Sequence, residues 1–254
     1  MREYQKRLAG LLAESGALFF REGLRLKDGR PTPYFVNFGV FRTGRLAVEL
    51  GRCFAGWFQD QGELAQRVDV IVGPSYKGSA LAQGMAMSLF SDYGRDLAFD
   101  YDRKEAKTHG EQSGGGSLFV TGALAAGSRA LIVDDVGTSM ATKVDLLDKI
   151  AAHARGLGGE IALEGVVLAV DREQTQAVYD ADGGVVEGAR GEDALGAFRQ
   201  KTGLPVWSLL GIRQAVSYLY EGRAEVLVDG RRQALDAGLL ERFQAYLALY
   251  GREV

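Results

Sequence analysis

Residues 129–142 read Arg129-Ala130-Leu131-Ile132-Val133-Asp134-Asp135-Val136-Gly137-Thr138-Ser139-Met140-Ala141-Thr142. The apolar run predicts a buried strand that ends in two adjacent carboxylates, and the Gly/Thr/Ser loop after it leads into a helix. Carboxylates accept hydrogen bonds from vicinal hydroxyls, and free N–H groups at a helix N-terminus bind phosphate. The stretch therefore points to a ribose 5-phosphate, a ligand that carries both groups. A purely structural interpretation stays open, because Asp, Thr and Ser also commonly cap helices.

Two further apolar runs flank this stretch, and both end in polar residues. Residues 68–72 lead into Gly73-Pro74-Ser75-Tyr76-Lys77, and residues 161–170 lead into Asp171-Arg172. Helical stripes separate the runs, which favours an α/β fold with a mainly parallel, twisted sheet flanked by helices. Because such sheets bind ligands beyond the carboxyl ends of their strands, we expect the three strand ends to meet at one crevice.

The remaining periodicities predict the other elements of the chain. Helices are expected at 2–15, 43–60, 78–91, 140–154, 211–221 and 232–249, and strands at 33–37, 97–101 and 205–209. Residues 102–117 show no periodicity, and residues 173–203 mix polar loop with one short helix. Because no repeat or low-complexity linker divides the sequence, we expect a single domain spanning 1–254.

Four potential cations lie within seven residues of the segment 101–111, namely Arg103, Lys104, Lys107 and His109. Three glycines at 114–116 follow and give the backbone freedom. A dense cationic group on such a segment suits closure over a polyphosphate. A solvated surface loop of mixed charge has the same composition, so the segment alone does not decide between the two.

Three single residues also have two interpretations each. Lys77 follows a strand and a Gly-Pro turn, so it is either a phosphate ligand or a surface lysine. Phe35 is either a core residue or a platform for a flat ring. Arg172 could grip a carboxylate in bidentate fashion, or it could form an ion pair with Asp171 or Glu173.

Composition narrows the class of protein. The chain has 254 residues and a net charge of −3, so no global basic field indicates nucleic acid. Cys53 is the only cysteine and is expected to be buried and inert, while His109 and His153 are too far apart to suggest a metal site. His153 is expected to be exposed. We see no signal-peptide core or membrane span, and we expect a cytoplasmic protein with no membrane partner.

Taken together, these segments resemble the orotate phosphoribosyltransferases, which have the type I phosphoribosyltransferase fold. The resemblance runs in the same order through Leu26-Lys27-Asp28-Gly29-Arg30, Pro33-Tyr34-Phe35-Val36-Asn37-Phe38-Gly39, Gly73-Pro74-Ser75-Tyr76-Lys77-Gly78, Arg103-Lys104-Glu105-Ala106-Lys107-Thr108-His109-Gly110-Glu111, the 134–142 loop and Asp171-Arg172. The Asp-Asp loop marks only the broad superfamily. The Arg-Lys-Glu-Ala-Lys and Tyr-Phe-Val-Asn segments are much more specific to the orotate enzymes.

The resemblance implies a reaction: orotate and 5-phosphoribosyl 1-pyrophosphate (PRPP) give orotidine 5′-monophosphate and pyrophosphate in pyrimidine biosynthesis. It implies Mg²⁺ carried mainly by PRPP and pyrophosphate, with no direct protein ligand. The implied PRPP-binding residues are Lys27, Tyr76, Lys77, Arg103, Lys104, Lys107, His109, Asp134, Asp135, Val136, Gly137, Thr138, Ser139, Met140, Ala141 and Thr142. Among them Arg103, Lys104, Lys107 and His109 are implied to be catalytic. The implied orotate-binding residues are Lys27, Phe35, Val36, Thr138 and Arg172.

The resemblance also implies a homodimer in which segment 102–117 is shared between subunits. It implies a small hood built largely from the N-terminal residues 1–42, a core over 43–215 and C-terminal helices over 216–254. The sequence departs from the family at Met140, where glycine is usual, and in the length of segment 173–203. Two alternatives stay open: a phosphoribosyltransferase for a purine or uracil, and a non-catalytic regulator that retains the fold.

Overall fold

The computed structural model of the chain describes residues 1–104, 118–137 and 139–253. Its helices are α1 (Glu3–Glu14), α2 (Gly44–Gln59), α3 (Glu63–Arg67), α4 (Lys77–Tyr93), α5 (Ala141–Leu157), α6 (Ala194–Thr202), α7 (Ile212–Glu221) and α8 (Ala237–Tyr250). Its strands are β1 (Leu18–Phe20), β2 (Tyr34–Val36), β3 (Val70–Gly73), β4 (Ala98–Tyr101), β5 (Arg129–Val136), β6 (Ala162–Asp171), β7 (Val206–Gly211), β8 (Glu225–Val228) and β9 (Arg231–Ala234).

The main sheet has five parallel strands in the order β4-β3-β5-β6-β7. Strands β3, β5 and β6 are neighbours, so the three junctions singled out in the sequence lie side by side at the same edge. The expected parallel sheet and its convergent strand ends are therefore confirmed.

Helices cover both faces of this sheet, which explains why its central strands are continuous apolar runs. Leu131 and Val133 of β5 point into a large core cluster on one face. Ala130 and Ile132 point into a second cluster on the other face, where α5 and α6 pack. Alternate residues of one strand thus bind the two layers together.

A second, smaller sheet has the strand order β2-β1-β8-β9 and forms the hood. Strand β1 is antiparallel to β2 and parallel to β8. The N-terminal region supplies β1 and β2 of this sheet, as the resemblance implied, and the C-terminal region adds β8 and β9. The sequence signal that was missed is Asp229-Gly230, whose positive φ angles of 46° and 82° suit a tight hairpin turn.

The hairpin also corrects the last predicted helix, which begins at Ala237 and not at residue 232. Asp236 caps it, because its carboxylate accepts a hydrogen bond from the Leu239 N–H at 2.7 Å. The other predicted helices and strands lie where the periodicity placed them, within a few residues at their ends.

Cys53 and His153 show opposite outcomes. Cys53 is buried, as expected, and burial raises the pKa of its thiol to about 12. His153 is half-buried and not exposed: its Nε2 lies 2.9 Å from the Leu124 carbonyl oxygen and its ring packs on Phe119. Within the described ranges, no helix is both long enough and apolar enough to span a membrane.

Candidate active site

The carboxyl ends of β3 and β5 and the start of α5 enclose a cleft of about 270 Å³. It is lined by Pro74, Ser75, Tyr76, Lys77, Asp134, Asp135, Val136, Ser139, Met140, Thr142 and Lys143. The residues predicted for PRPP from two separate stretches therefore meet at one place. Gly73 and Gly78 allow this approach, because a Cβ on Gly73 would lie 1.9 Å from the Gly78 carbonyl oxygen.

Asp134 lies at the end of β5 and is almost completely buried. One of its carboxylate oxygens accepts a hydrogen bond from the Asp135 N–H at 2.9 Å, and the other contacts the ammonium of Lys143. Burial raises the pKa of the Asp134 carboxyl and the neighbouring Asp135 charge raises it further, while Lys143 lowers it. Lys143 is therefore the cation in contact with Asp134 that favours the ionised form of its carboxyl.

Asp135 has a different cation. Its Oδ2 accepts a hydrogen bond from the Lys77 ammonium at 2.8 Å, and its Oδ1 accepts from the Val136 N–H. The Lys77 side chain is 57% exposed, so solvent can reach this pair. Lys77 therefore lies within the cleft, where a phosphate ligand would have to be. In the free protein its ammonium is bound to the Asp135 carboxylate.

The phosphate-loop region has an unusual backbone at Met140. This residue has φ +57°, in the left-handed region that favours glycine, yet its side chain is 3% exposed within the second core cluster. Its sulfur packs close to Gly137, beside Leu168 and Leu195. Met140 thus adopts a backbone conformation that glycine reaches more easily, and the apolar packing of its side chain offsets the strain. Thr138 lies outside the described residues.

Only part of the cationic segment is described. Lys104 lies with its ammonium 4.5 Å from the ring centroid of Tyr76, whose side chain is exposed. Arg103 and Lys104 line a second cleft of about 620 Å³, which shares Ser75 and Tyr76 with the first. Lys107 and His109 lie outside the described residues. The described cations thus border the Asp134 and Asp135 cleft on its Tyr76 side.

Asp102 makes contacts that hold the Tyr76 side of the cleft in place. Its carboxylate accepts a hydrogen bond from the Ser75 N–H at 2.6 Å and contacts the Lys149 ammonium at 2.6 Å. The Ser75 hydroxyl bonds to the Asp102 carbonyl. Asp102 therefore ties the loop after β3 to the start of the cationic segment.

Arg172 lies just beyond β6, next to the end of β5, and is 6% exposed. Its guanidinium carbon is 5.7 Å from the ring centroids of both Tyr34 and Phe35. Its Nε and one terminal nitrogen are buried and have no hydrogen-bond partner among the described residues. Among the described residues, Arg172 forms no ion pair with Asp171 or Glu173. Asp171 contacts Arg252 instead, and Glu173 contacts Arg213. The Arg172 guanidinium therefore keeps donors available for an anionic ligand.

Strand β2 of the hood places Phe35 beside Arg172, while the residues on either side of Phe35 point into the core. Tyr34 and Val36 are buried in the main core cluster, while Phe35 is half-buried on the other side of the strand. The side chain of Val36 thus packs in the core and does not face the same side as Phe35. Lys27 is exposed on the loop between β1 and β2.

Part of the long segment 173–203 packs against the Lys27 loop. Tyr179 pairs with Val185 in a small hairpin, and the Tyr179 hydroxyl donates to the Asp28 carbonyl at 3.3 Å. Glu187 forms an exposed ion pair with Arg25 at 3.2 Å. The segment therefore braces the loop that carries Lys27, while α6 packs beside Met140 through Leu195.

Sequence reasoning missed Lys143, Tyr34 and Asp102. Lys143 falls within the apolar stripe of α5, at a position that the helical period assigns to the core, and a lysine there was the available signal. Tyr34 and Asp102 gave no signal of their own, because their roles arise from contacts between distant segments.

Comparison with known proteins places the chain in a family. No family model matches it. It is 35% identical to the orotate phosphoribosyltransferase of Chromohalobacter salexigens over 99% of this chain and 96% of that protein, and 34% identical to that of Cellvibrio japonicus over the full length of both.

Solved structures share the fold. The Francisella tularensis orotate phosphoribosyltransferase aligns with a TM-score of 0.67 at 24% identity, covering 94% of this chain and 96% of that one. A Mycobacterium tuberculosis orotate phosphoribosyltransferase in complex with PRPP aligns with a TM-score of 0.52 at 17% identity, covering 85% and 93%. Full-length identity above a third, together with the shared fold, shows that the chain belongs to the orotate phosphoribosyltransferase family.

Proposed function

We propose that the chain transfers ribose 5-phosphate from PRPP to orotate, giving orotidine 5′-monophosphate and pyrophosphate. The observation that carries the proposal is the position of Arg172 at the end of β6, the strand next to the one that carries Asp134 and Asp135. Two of its nitrogens are buried and have no hydrogen-bond partner among the described residues. A guanidinium binds a carboxylate in bidentate fashion, and orotate carries one. The acidic pair suits the ribose hydroxyls of the other substrate.

In this proposal Asp134 and Asp135 hold the ribose hydroxyls, and the backbone of residues 136–142 binds the 5-phosphate. Val136, Gly137, Ser139, Ala141 and Thr142 lie around the start of α5. The N-terminus of a helix favours a phosphate, because its dipole and its first N–H groups point toward the ligand. Thr138 is proposed to reach both phosphate and orotate. Lys77 leaves Asp135 when the ribose hydroxyls bind, and its ammonium then turns to the diphosphate.

The diphosphate end of PRPP is proposed to lie toward Tyr76, Arg103 and Lys104, with Lys107 and His109 completing the cationic group. Cleavage of the C1–O bond leaves negative charge on the departing pyrophosphate, which these cations stabilise. Mg²⁺ bound to the substrate would add positive charge at the same oxygens. We propose that this Mg²⁺ is carried mainly by PRPP and pyrophosphate, with no direct protein ligand.

Orotate is proposed to stack beside Phe35 and the Val36 backbone, with Arg172 on its polar edge and Lys27 near the reacting carbon. The reacting nitrogen can already be anionic, so no general base is required. Burial of Arg172 against two rings excludes water from its donors, which strengthens their interaction with an anion.

The direct test is an ultraviolet assay of orotate consumption with PRPP and Mg²⁺, coupled to detection of pyrophosphate. We expect turnover with orotate and none with hypoxanthine or uracil, which lack a carboxylate. Turnover with either neutral base and not with orotate would favour the alternative phosphoribosyltransferases. PRPP binding without pyrophosphate release would favour a non-catalytic regulator.

We also propose a homodimer in which segment 102–117 acts at the partner's site. One face of α4 supports it, because Met87, Phe90 and Tyr93 are exposed there and α4 starts at the cleft that Arg103 and Lys104 line. Such an apolar face on a surface helix is typical of an interface. The proposal treats residues 1–254 as one domain and a cytoplasmic enzyme, in keeping with a single buried cysteine.

Mixing subunits tests the shared site. Subunits carrying Lys107→Ala are combined with subunits carrying Asp135→Asn, and each variant mixed with itself is the control. Random pairing leaves one intact site in half of the dimers, so about a quarter of wild-type activity is expected. Activity no higher than that of either variant alone would remove the shared site from the proposal.

A further inference from the structure

Lys143 is the one lysine that is buried in the described part of the chain, with 3% of its surface exposed. It lies in the first turn of α5, directly under the loop that follows β5. Its ammonium contacts Asp134 and also donates a hydrogen bond to the Val136 carbonyl oxygen at 3.0 Å. No motif of the sequence and none of the proposed substrate contacts accounts for this residue.

Stability alone does not explain a buried lysine at this position. Removing an ammonium from water is costly, and a buried ion pair commonly contributes no more than an apolar side chain of the same size. The surrounding helix face is apolar, with Leu146 and Ile150 buried on it. An apolar residue at 143 would pack there, so the presence of lysine points to a role for its charge.

The groups that face Asp134 show what the charge does. Asp135 is adjacent on β5, Lys143 approaches from α5, and Lys77 approaches from α4 but binds Asp135. Without Lys143, two carboxylates would share a buried position with only the half-exposed Lys77 beside them. Like charges in such a place favour uptake of a proton by one of the two.

We propose that Lys143 is a positioning residue for PRPP: it keeps Asp134 ionised and aimed into the cleft, and it fixes the loop from Val136 to the start of α5. The inference rests on the proposed function, because it assigns Asp134 to the ribose hydroxyls. An ionised carboxylate has lone pairs left after these two contacts, so Asp134 can still accept hydrogen bonds from a diol. Lys143 stays buried throughout, whereas Lys77 exchanges partners.

The test replaces the charge with an apolar chain of similar length. Lys143→Met is compared with Arg155→Met, which removes an exposed cation from the same helix and serves as the matched control. Binding of PRPP and of orotate is measured by calorimetry. We expect Lys143→Met to weaken PRPP binding by about 10- to 100-fold near neutral pH, the range of a lost hydrogen bond to a charged group. Orotate affinity should stay within about threefold, because Arg172 is untouched.

A pH series separates this role from a packing defect. If Asp134 takes up a proton in Lys143→Met, raising the pH from about 6 to about 9 restores its charge and shrinks the defect relative to Arg155→Met. The titration of PRPP itself cancels in this ratio. A defect of the same size at every pH, or equal losses for PRPP and orotate, would overturn the proposal, and so would PRPP affinity equal to that of the control.

If Lys143→Met does not fold, the double variant Lys143→Met/Asp134→Asn is used in its place, because it lacks both the buried ammonium and the buried carboxylate. We expect it to fold and to bind PRPP about as weakly as Lys143→Met near neutral pH, with no added dependence on pH. PRPP affinity equal to that of Arg155→Met would overturn the proposal here too. A wild-type protein that binds PRPP but does not consume orotate would instead count against the proposed reaction, so the two failures are distinguishable.

Discussion

Two neighbouring regions at the carboxyl end of the main sheet handle charge in opposite ways: the cleft after β5, and the side after β6 where the hood packs. On the β5 side, Asp134 and Asp135 are each bound to a lysine of this chain. On the hood side, Arg172 is buried against Tyr34 and Phe35, and no carboxylate of the described residues binds it. Each carboxylate of the β5 side has a lysine partner in the free protein, whereas the guanidinium of Arg172 has no carboxylate partner within residues 1–104, 118–137 and 139–253.

The difference indicates how each side would meet its ligand. On the β5 side, a ligand must replace a lysine that already binds a carboxylate. Breaking that contact costs free energy, so the net gain from ligand binding is smaller. The Arg172 guanidinium has no carboxylate among the described residues to give up when an anion binds, and packing against Tyr34 and Phe35 already fixes its orientation. We therefore expect the Arg172 side to discriminate more sharply between ligands, and ligand binding on the β5 side to depend more on solution conditions such as pH.

Arg172→Ala should have the largest effect. We expect kcat/KM for orotate to fall roughly 10²–10³-fold, by analogy with other preorganised electrostatic sites. The KM for PRPP should change little, because Asp134 and Asp135 are unaltered. Steady-state kinetics with each substrate varied in turn measures the split. Equal losses for both substrates would contradict the contrast between the two sides and the assignment of orotate to Arg172.

On the β5 side, Asp135→Asn should weaken PRPP by roughly 10²-fold and Lys77→Met by about tenfold, since each removes one charged contact. If Lys77 exchanges partners as proposed, the fold-loss of PRPP affinity in the double variant should be smaller than the product of the two single fold-losses. Fluorescence or calorimetric titration with PRPP measures the coupling. Strict additivity would show that the ion pair between Lys77 and Asp135 has no part in binding.

Replacing residues 179–185 by two glycines should have a smaller effect. The hairpin contacts the Lys27 loop through Tyr179 and lies beside it at Val185. These contacts are exposed, so we expect KM for both substrates to rise less than about tenfold while kcat changes little. Asp182→Ala at the tip of the hairpin is the control. Unchanged kinetics would leave segment 173–203 without a part in the site.

Met140 gives the smallest and most specific prediction. Met140→Ala removes the buried side chain but keeps a β-carbon at φ +57°, whereas Met140→Gly removes the strain as well. We expect the glycine variant to be about 1 kcal/mol more stable than the alanine variant, the reverse of the usual order in helices. Chemical denaturation measures the difference. An alanine variant as stable as the glycine variant would show that the left-handed backbone at Met140 carries no strain.

Much of the fold followed from local patterns. The apolar runs before Gly73, Asp134 and Asp171 predicted three strands, and the alternation with helical stripes predicted that they are parallel. The hairpin at Asp229-Gly230 was missed because residues 231–234 are exposed and show no apolar alternation. The hood's composition could not be read from either end alone, since β1 pairs with β8 across two hundred residues.

The sequence by itself determined which groups the site contains: two carboxylates and a Gly/Thr/Ser turn after one strand, a cationic segment, and an arginine after another strand. Only the tertiary structure decided which charges have partners. The contacts of Lys143 with Asp134 and of Lys77 with Asp135, and the lack of a hydrogen-bond partner for two Arg172 nitrogens among the described residues, depend on distances between segments far apart in the chain. Strand and helix signals are local, whereas the pairing of buried charges is a property of the packed fold, and that pairing sets how the crevice meets its substrates.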